Sequence, residues 1–224
     1  MTDSAVTARL PRGRHGLPRE TVVRAQRDRI LLAMAEAMAE NGYVGTPVAA
    51  IIKRAGVSRE TFYEQFRSKE DCFEAAFERA VELLLAGILD ATGRSPEGET
   101  QRQRLERLLT SYLDGLSAHP AYARLFLVEV YAVGSEAIHR RTSLQETFVA
   151  IVGDVLGAET EQQLFACQTL VAALSSMVTA CIATDDIEGL HDLREPMLDL
   201  VARSGDLFGT PLAQDQQHEP GQGG

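Results

Sequence analysis

Apolar residues recur at intervals of three and four along almost the whole chain, and no segment alternates apolar and polar residues as a strand does. One stripe contains Ile30, Leu31, Met34 and Met38, and it ends at Asn41-Gly42, a common stop signal for helices. This spacing predicts an all-α chain.

The periodic segments and their caps predict about nine helices. The fourth begins at Ser68, where a Ser and an acidic residue three positions later form a capping box. The predicted helices cover residues 24–41, 47–55, 58–66, 68–91, 100–117, 120–133, 135–156, 159–184 and 187–206.

The composition is that of a globular protein, with 45% hydrophobic and 24% charged residues among 224. No secretory leader is recognisable, and we expect no apolar run long enough to span a membrane. The cysteines Cys72, Cys167 and Cys181 are odd in number and lack a CxxC spacing, which favours reduced thiols in the cytoplasm.

The net charge of −10 hides an asymmetry along the chain. Residues 1–72 contain 12 Lys and Arg against 9 Asp and Glu, whereas the remainder contains 10 against 23. A basic end on an acidic body is consistent with a polyanionic partner for the first third of the chain.

Residues 46–66 indicate a helix-turn-helix, with two short amphipathic helices joined by a tight turn. Ala55 is small enough for the helices to cross closely, and Gly56 can adopt the left-handed turn conformation. Val57 and Phe62 would fill the space between the helices, which leaves a polar face suited to the DNA major groove. An ordinary helical hairpin is the alternative interpretation of the same pattern.

Residues 27–78 resemble the TetR family of transcriptional regulators. The motif is AGVS-x-x-T-φ-Y-x-x-F-x-SKE, and every fixed position is filled in AGVSRETFYEQFRSKE. The resemblance implies an N-terminal three-helix helix-turn-helix DNA-binding domain, followed by a larger helical domain for effector binding and dimerisation. The expected divisions are a flexible basic arm at 1–22, the DNA-binding domain at 23–67, the effector-binding and dimerisation domain at 68–208 and a disordered tail at 209–224.

The resemblance also assigns DNA-contacting residues. Ser58, Arg59 and Thr61 would face base edges or nearby phosphates at the start of the recognition helix. Tyr63 and Lys69 would bind phosphates. Two further positions complete the expected DNA-binding set, Thr46 with a phosphate and Gln65 with the backbone or a base.

Glu60 departs from the family pattern, in which Gly is common. A carboxylate repels phosphate but can accept a hydrogen bond from cytosine, so both a DNA contact and a pairing within the helix stay open. For Glu64 we favour the pairing, with Arg67 nearby. The leader contains four arginines that could follow the DNA or only keep a tail soluble: Arg9, Arg12, Arg14 and Arg19.

The acidic body offers candidates for a dimer interface and a ligand site. Residues 164–182 are apolar nearly all round, so this helix must bury more than one face. In the TetR family the last two helices pair with those of a second subunit, and the alternative is a central core helix of a monomer. Glu129 lies in an apolar run, where it would either pair with an arginine from another helix or face a ligand. The remaining candidate pocket residues are Tyr112, Phe126, Phe148 and Met177.

Catalysis finds no support, because no phosphate-binding glycine loop, nucleophile elbow or metal-spaced histidine pair is present. We therefore expect neither a cofactor nor a metal. The resulting hypothesis is a cytoplasmic homodimeric repressor that binds a near-palindromic operator and is released by a small-molecule effector. The alternative is a helical ligand-binding or protein-interaction module whose helix-turn-helix no longer binds DNA.

Overall fold

The computed structural model describes residues 18–93 and 98–212. Within these ranges the chain forms ten α-helices and one short 3-10 helix, with no strand. They are α1 (Arg19–Asn41), α2 (Val48–Ala55), α3 (Arg59–Gln65), α4 (Lys69–Gly93), α5 (Gln101–Ala118), α6 (Pro120–Leu127), the 3-10 helix (Glu129–Ala132), α7 (Ser135–Leu156), α8 (Glu161–Ala183), α9 (Ile187–Asp192) and α10 (Arg194–Arg203).

The all-α prediction is confirmed, and the differences lie at helix ends. The predicted segment 120–133 divides into α6 and the 3-10 helix, and the segment 187–206 divides at Leu193 into α9 and α10. Helix α1 begins at Arg19, so the last four residues of the expected arm are helical. The arginines at positions 9, 12 and 14 lie outside the described residues.

The first three helices form the helix-turn-helix unit. Helix α1 packs against α2, and it also contacts α4 and α6, so this unit is joined to the body. Helix α2 ends at Gly56, whose φ of 63° lies in the left-handed region that glycine adopts without steric cost. Ser58 then caps α3, because its hydroxyl accepts a hydrogen bond from the Thr61 amide at 3.0 Å.

Helix α4 connects the two parts of the molecule. It begins beside the helix-turn-helix unit, packs against α1, and then packs against α5 and α6 of the body. Helices α7 and α8 pack on each other, and α5 contacts both α9 and α10. One continuous helix therefore extends from the first three helices into the core of the body.

Helix α8 contradicts the expectation that no apolar segment is long enough to span a membrane. Within the described ranges it is long and apolar enough to cross a membrane by length and composition, with a mean hydropathy of 1.7 in its most apolar window. The core helix of a globular protein can have the same composition, and α8 packs against α6, α7 and α9. Its outer face nevertheless exposes Leu164, Phe165 and Met177.

The first residues of the expected C-terminal tail pack against the body, which the sequence did not predict. Residues 209–212 lie beside the C-terminal end of α7, where the Thr210 amide donates to the Leu156 carbonyl at 2.8 Å. Phe208 and Leu212 are buried. These two buried side chains hold the segment against the body. The polar and glycine-rich composition of 209–224 gave no sign of this packing.

Candidate nucleic-acid interface and internal pocket

Two phenylalanines form the apolar support beneath α3. Phe62 and Phe66 are almost completely buried, with ring centroids 5.7 Å apart. Ile51 and Ala55 of α2 are buried as well, and the Arg27 guanidinium lies 4.6 Å from the Phe66 ring centre. Because this side of α3 is filled, its opposite side must face outward.

The outward side of α3 is polar and brings predicted DNA-binding residues together. Ser58, Arg59 and Tyr63 are exposed, and the Arg59 guanidinium lies 5.4 Å from the Tyr63 ring centre. Thr61 and Gln65 are half-buried, and the Thr61 hydroxyl lies 2.9 Å from that of Ser58. This face offers a guanidinium, hydroxyls and an amide within a single short helix, which suits contacts to base edges and phosphates.

Glu60 and Glu64 are also exposed on this helix. Neither carboxylate forms an ion pair with any residue that the structure describes, so the expected pairing of Glu64 with Arg67 is not observed. The Arg67 amide instead donates to the Asp71 carboxylate at 2.8 Å. Glu60 therefore lies next to Arg59 as a free acceptor on the exposed face.

Lys69 connects the start of α4 to the turn between α1 and α2. Its Nζ donates to the Tyr43 carbonyl at 3.0 Å and lies 3.9 Å from the Tyr43 ring centre. The Tyr43 hydroxyl donates to Glu70 at 2.9 Å, and burial together with this bond raises the pKa of Tyr43. An ammonium has three donor hydrogens. Lys69 can therefore hold this turn and still donate to a phosphate.

Thr46 does not have the role that the sequence suggested. Its side chain is fully buried, and its hydroxyl donates to the carbonyls of Ala37 at 3.0 Å and Gly42 at 2.8 Å. The N-cap of α2 is Pro47, and Thr46 makes no cap bond there. The prediction of a phosphate contact by this side chain was wrong, because a hydroxyl enclosed in the α1–α2 turn cannot reach DNA.

The body contains an apolar pocket between α4, α5, α6, α7 and α8. Its cavity volume is about 60 Å³, which is below the range of roughly 300–1,000 Å³ that is common for ligand pockets, so a ligand would have to extend toward the open side or widen the cavity. The sequence-predicted residues Tyr112, Phe126 and Phe148 line it, and the Tyr112 and Phe148 rings meet edge to face at 5.7 Å. The other lining residues are Ile88, Leu108, Leu109, Arg141, Gln145, Ile151, Val152, Val171, Leu174 and Ser175.

Arg141 is a pocket residue that the sequence reasoning missed. Its guanidinium donates to the Ser175 hydroxyl at 3.0 Å and lies 5.9 Å from the Phe126 ring centre. The signal was present, because Arg141 lies one turn before Leu144 and two turns before Phe148 on the apolar stripe of α7. A charged residue on such a stripe points toward the core.

Glu129 and Met177 do not line this pocket. The Glu129 carboxylate lies 3.7 Å from Nε of Arg124, which supports the ion-pair interpretation, although this arginine is only five positions away. Glu129 also lies beside Gly42 at the end of α1. Met177 is 38% exposed on the outer face of α8. Because α8 is apolar on nearly all sides, the spacing of its residues does not indicate which face turns inward, and Met177 was assigned to the wrong face.

Acidic, histidine and cysteine side chains form no cluster suited to a metal ion in the described part of the chain. The three cysteines are unpaired thiols. Burial raises the pKa of Cys72 to about 12, so this thiol has little thiolate character at neutral pH.

Comparison with known proteins agrees with this architecture. The family model described as "Bacterial regulatory proteins, tetR family" matches residues 30–76. A curated relative, the HTH-type transcriptional activator FasR of Mycolicibacterium smegmatis, is 31% identical over 98 residues, which are 44% of this chain. The match spans only 42% of that relative's length.

Solved structures extend the likeness over most of the fold. The fatty acid degradation regulator FadR of Bacillus halodurans has a TM-score of 0.65 and 22% identity, over 77% of this chain and 96% of its own. FadR of Bacillus subtilis, solved in complex with stearoyl-CoA, has a TM-score of 0.63 and 22% identity, over 77% and 95% of the two chains.

The match at residues 30–76 covers α2, α3 and the flanking parts of α1 and α4, which together build the polar face described above. The family consists of transcriptional regulators, which are not enzymes, in agreement with the expectation from the sequence. The family model, the curated relative and the shared fold thus agree that residues 30–76 are similar to the DNA-binding region of the tetR family of bacterial regulatory proteins.

Proposed function

We propose that this chain is a cytoplasmic transcriptional repressor that binds a near-palindromic operator as a homodimer and is released by a small-molecule effector. The observation that carries the proposal is the outward polar face of α3, supported from behind by Phe62 and Phe66.

DNA recognition would divide between two groups of side chains. Ser58, Arg59 and Thr61 lie at the start of α3, the part of a recognition helix that meets base edges. Tyr63 and Lys69 would donate to phosphates on either side of the groove, and Gln65 would reach the backbone or a base. Glu60 would accept a hydrogen bond from cytosine where the operator supplies one.

Dimerisation would use the exposed faces of α8 and α10. Leu164, Phe165, Met177 and Leu200 are exposed although they are large and apolar. A second copy of the chain would cover these side chains, because exposed large apolar residues can mark a protein interface. A two-fold dimer would present two α3 helices to successive major grooves, which a single short helix of 7 residues cannot do alone.

Effector binding would act through α4. Ile88 of this helix lines the pocket, and Lys69 at its start holds the α1–α2 turn. The two positions are about 28 Å apart along one helix, at 1.5 Å per residue. Arg140 of α7 adds a link, because its guanidinium lies 3.6 Å from Glu74 and 3.8 Å from Glu78, both on α4.

Release requires the effector to prefer the arrangement in which α4 spaces the two DNA-binding units poorly, since a ligand with no such preference shifts nothing. The names of the FadR relatives concern fatty acids, and one was solved with stearoyl-CoA. An amphipathic effector is consistent with those names and with the apolar lining of this pocket.

The first test is fluorescence anisotropy of the purified protein with DNA from upstream of its own gene. We expect specific binding by a dimer, with an affinity that falls as salt rises because phosphate contacts release counterions. Lys69→Ala should weaken binding to all sequences and flatten the salt dependence, whereas Arg59→Ala should change the sequence preference. Equal losses on every sequence for both variants would contradict the division of contacts.

The second candidate is a helical module that no longer binds DNA. The observation in its favour is that Glu60 and Glu64 both lie exposed on α3 without a basic partner among the described residues. Failure to bind any sequence after unbiased selection from random DNA would favour this alternative. Because the FasR relative is named as an activator, a reporter assay with and without the chain decides the direction of regulation.

A further inference from the structure

The pocket of the body contains a single charged side chain, that of Arg141. The other lining residues are apolar or neutral, and no carboxylate lies within ion-pair distance of this guanidinium in the ranges 18–93 and 98–212. Its Nη2 donates to Ser175, but its Nε is buried and has no hydrogen-bond partner within those ranges.

The neighbouring Arg140, in contrast to Arg141, has several acidic partners. Its guanidinium lies within 3.8 Å of three carboxylates, those of Glu74, Glu78 and Glu136. Arg141 points to the other side of α7, where it meets the rings of Phe126 and Tyr131 at 5.9 Å and 5.3 Å. Aromatic faces attract a cation, but they do not accept the hydrogen of Nε as an anion does.

Tyr112 cannot supply the missing negative charge. Burial raises the pKa of Tyr112 to about 12, although the positive charge of Arg141 opposes the shift. The phenol is therefore neutral at physiological pH. Arg141 as a whole is half-buried, but its buried Nε has no acceptor among the described residues, and a buried donor is costly unless an acceptor pairs with it.

We propose that the effector is a single-chain amphiphile whose carboxylate pairs with Arg141 and whose hydrocarbon chain lies against the apolar pocket wall. This inference rests on the proposed function, because it names the ligand class of the same effector site. Nε and the remaining guanidinium hydrogens would donate to the carboxylate, and Gln145, one turn along α7, could donate from its amide. The ring of Phe148 and the side chains of Ile88 and Leu174 would contact the chain.

The test measures binding without DNA, by isothermal titration of the full chain with dodecanoate, dodecanol, methyl dodecanoate and dodecanoyl-CoA below their aggregation limits. All four contain the same hydrocarbon chain, and only dodecanoate ends it in a free carboxylate. We expect dodecanoate to bind roughly tenfold or more tightly than dodecanol or the methyl ester, as for a hydrogen bond to a charged group. Equal affinities in the native chain would overturn the proposal without relying on any variant.

Arg141→Gln should remove the preference for dodecanoate while leaving dodecanol binding nearly unchanged. Arg104→Gln is the matched control, because Arg104 is exposed on α5 and does not line the pocket. Circular dichroism and thermal unfolding establish that both variants fold, and Arg141→Lys should retain part of the preference because it keeps the charge. A dodecanoate preference that survives in Arg141→Gln would overturn the assignment, as would dodecanoyl-CoA binding tightest through a route insensitive to Arg141.

Operator release is measured separately, so the two proposals can fail independently. Dodecanoate that binds through Arg141 but leaves DNA affinity unchanged would support the ligand class and contradict the release mechanism. Release by a ligand that binds Arg141→Gln as well as the native chain would support the mechanism and contradict the ligand class.

Discussion

Thr46→Val should destabilise the fold and leave the DNA contacts of the folded protein intact. Valine has nearly the same shape as threonine but lacks the hydroxyl that donates to the carbonyls of Ala37 and Gly42. The single hydroxyl hydrogen is shared by two acceptors, and the Ala37 carbonyl retains a second donor, the Asn41 side chain at 3.1 Å. We therefore expect the cost of about one buried hydrogen bond plus a poorly satisfied Gly42 carbonyl, about 1–2 kcal/mol.

The assay is urea unfolding at one fixed protein concentration, followed by far-ultraviolet circular dichroism, since the stability of a dimer depends on concentration. DNA binding is measured by anisotropy under conditions where both proteins are folded. Thr61→Val provides the matched control. Thr61 makes its side-chain contact on the exposed side of α3, so the same substitution should change stability by less than about 0.5 kcal/mol.

The two variants should thus affect different properties. Thr46→Val should lose stability, and Thr61→Val should lose DNA affinity. The reasoning would be refuted by a Thr46→Val protein with unchanged unfolding free energy and weakened DNA binding. That result would mean that the hydroxyl reaches DNA after all.

Three further predictions concern buried and exposed neighbours. Phe62→Ala should lower the free energy of unfolding by about 3–5 kcal/mol, because the ring is fully buried, and a urea midpoint close to that of the native chain would contradict this packing. Tyr63→Phe should leave stability unchanged and weaken binding to all DNA sequences if the hydroxyl donates to a phosphate, while the slope of log affinity against log salt stays the same because a neutral hydroxyl releases no counterion. In the native protein a thiol reagent at neutral pH should modify Cys181 before Cys72, as mass spectrometry of digests would show, because burial raises the pKa of Cys72 to about 12. Early modification of Cys72 would indicate that this part of α4 opens.

The sequence predicted the helices and the polar face of α3 well because both depend on local spacing. Phe62 at a plug position follows from the motif alone, and the structure buries it as expected. Thr46 was misjudged because burial of a hydroxyl depends on how the turn closes, which local spacing does not reveal.

The pocket was only partly predictable for the same reason. Tyr112 and Phe148 were identified because large apolar residues at helical spacing turn inward, but the method cannot separate the inner face of α8 from the outer face that exposes Met177. Arg141 was not predicted because most arginines face solvent, although a cation on the apolar stripe of α7 is a signal that this side chain turns inward.

The adjacency of Arg140 and Arg141 has a consequence for engineering. Successive residues of an α-helix differ by about 100° around its axis. The Arg141 guanidinium therefore faces the pocket and the Arg140 guanidinium faces the carboxylates of α4, although the two residues are adjacent in the chain. A sensor with a different head-group preference could be obtained by replacing Arg141 and its pocket neighbours while the Arg140 link to α4 is kept, so that ligand choice and signal transmission are altered one at a time.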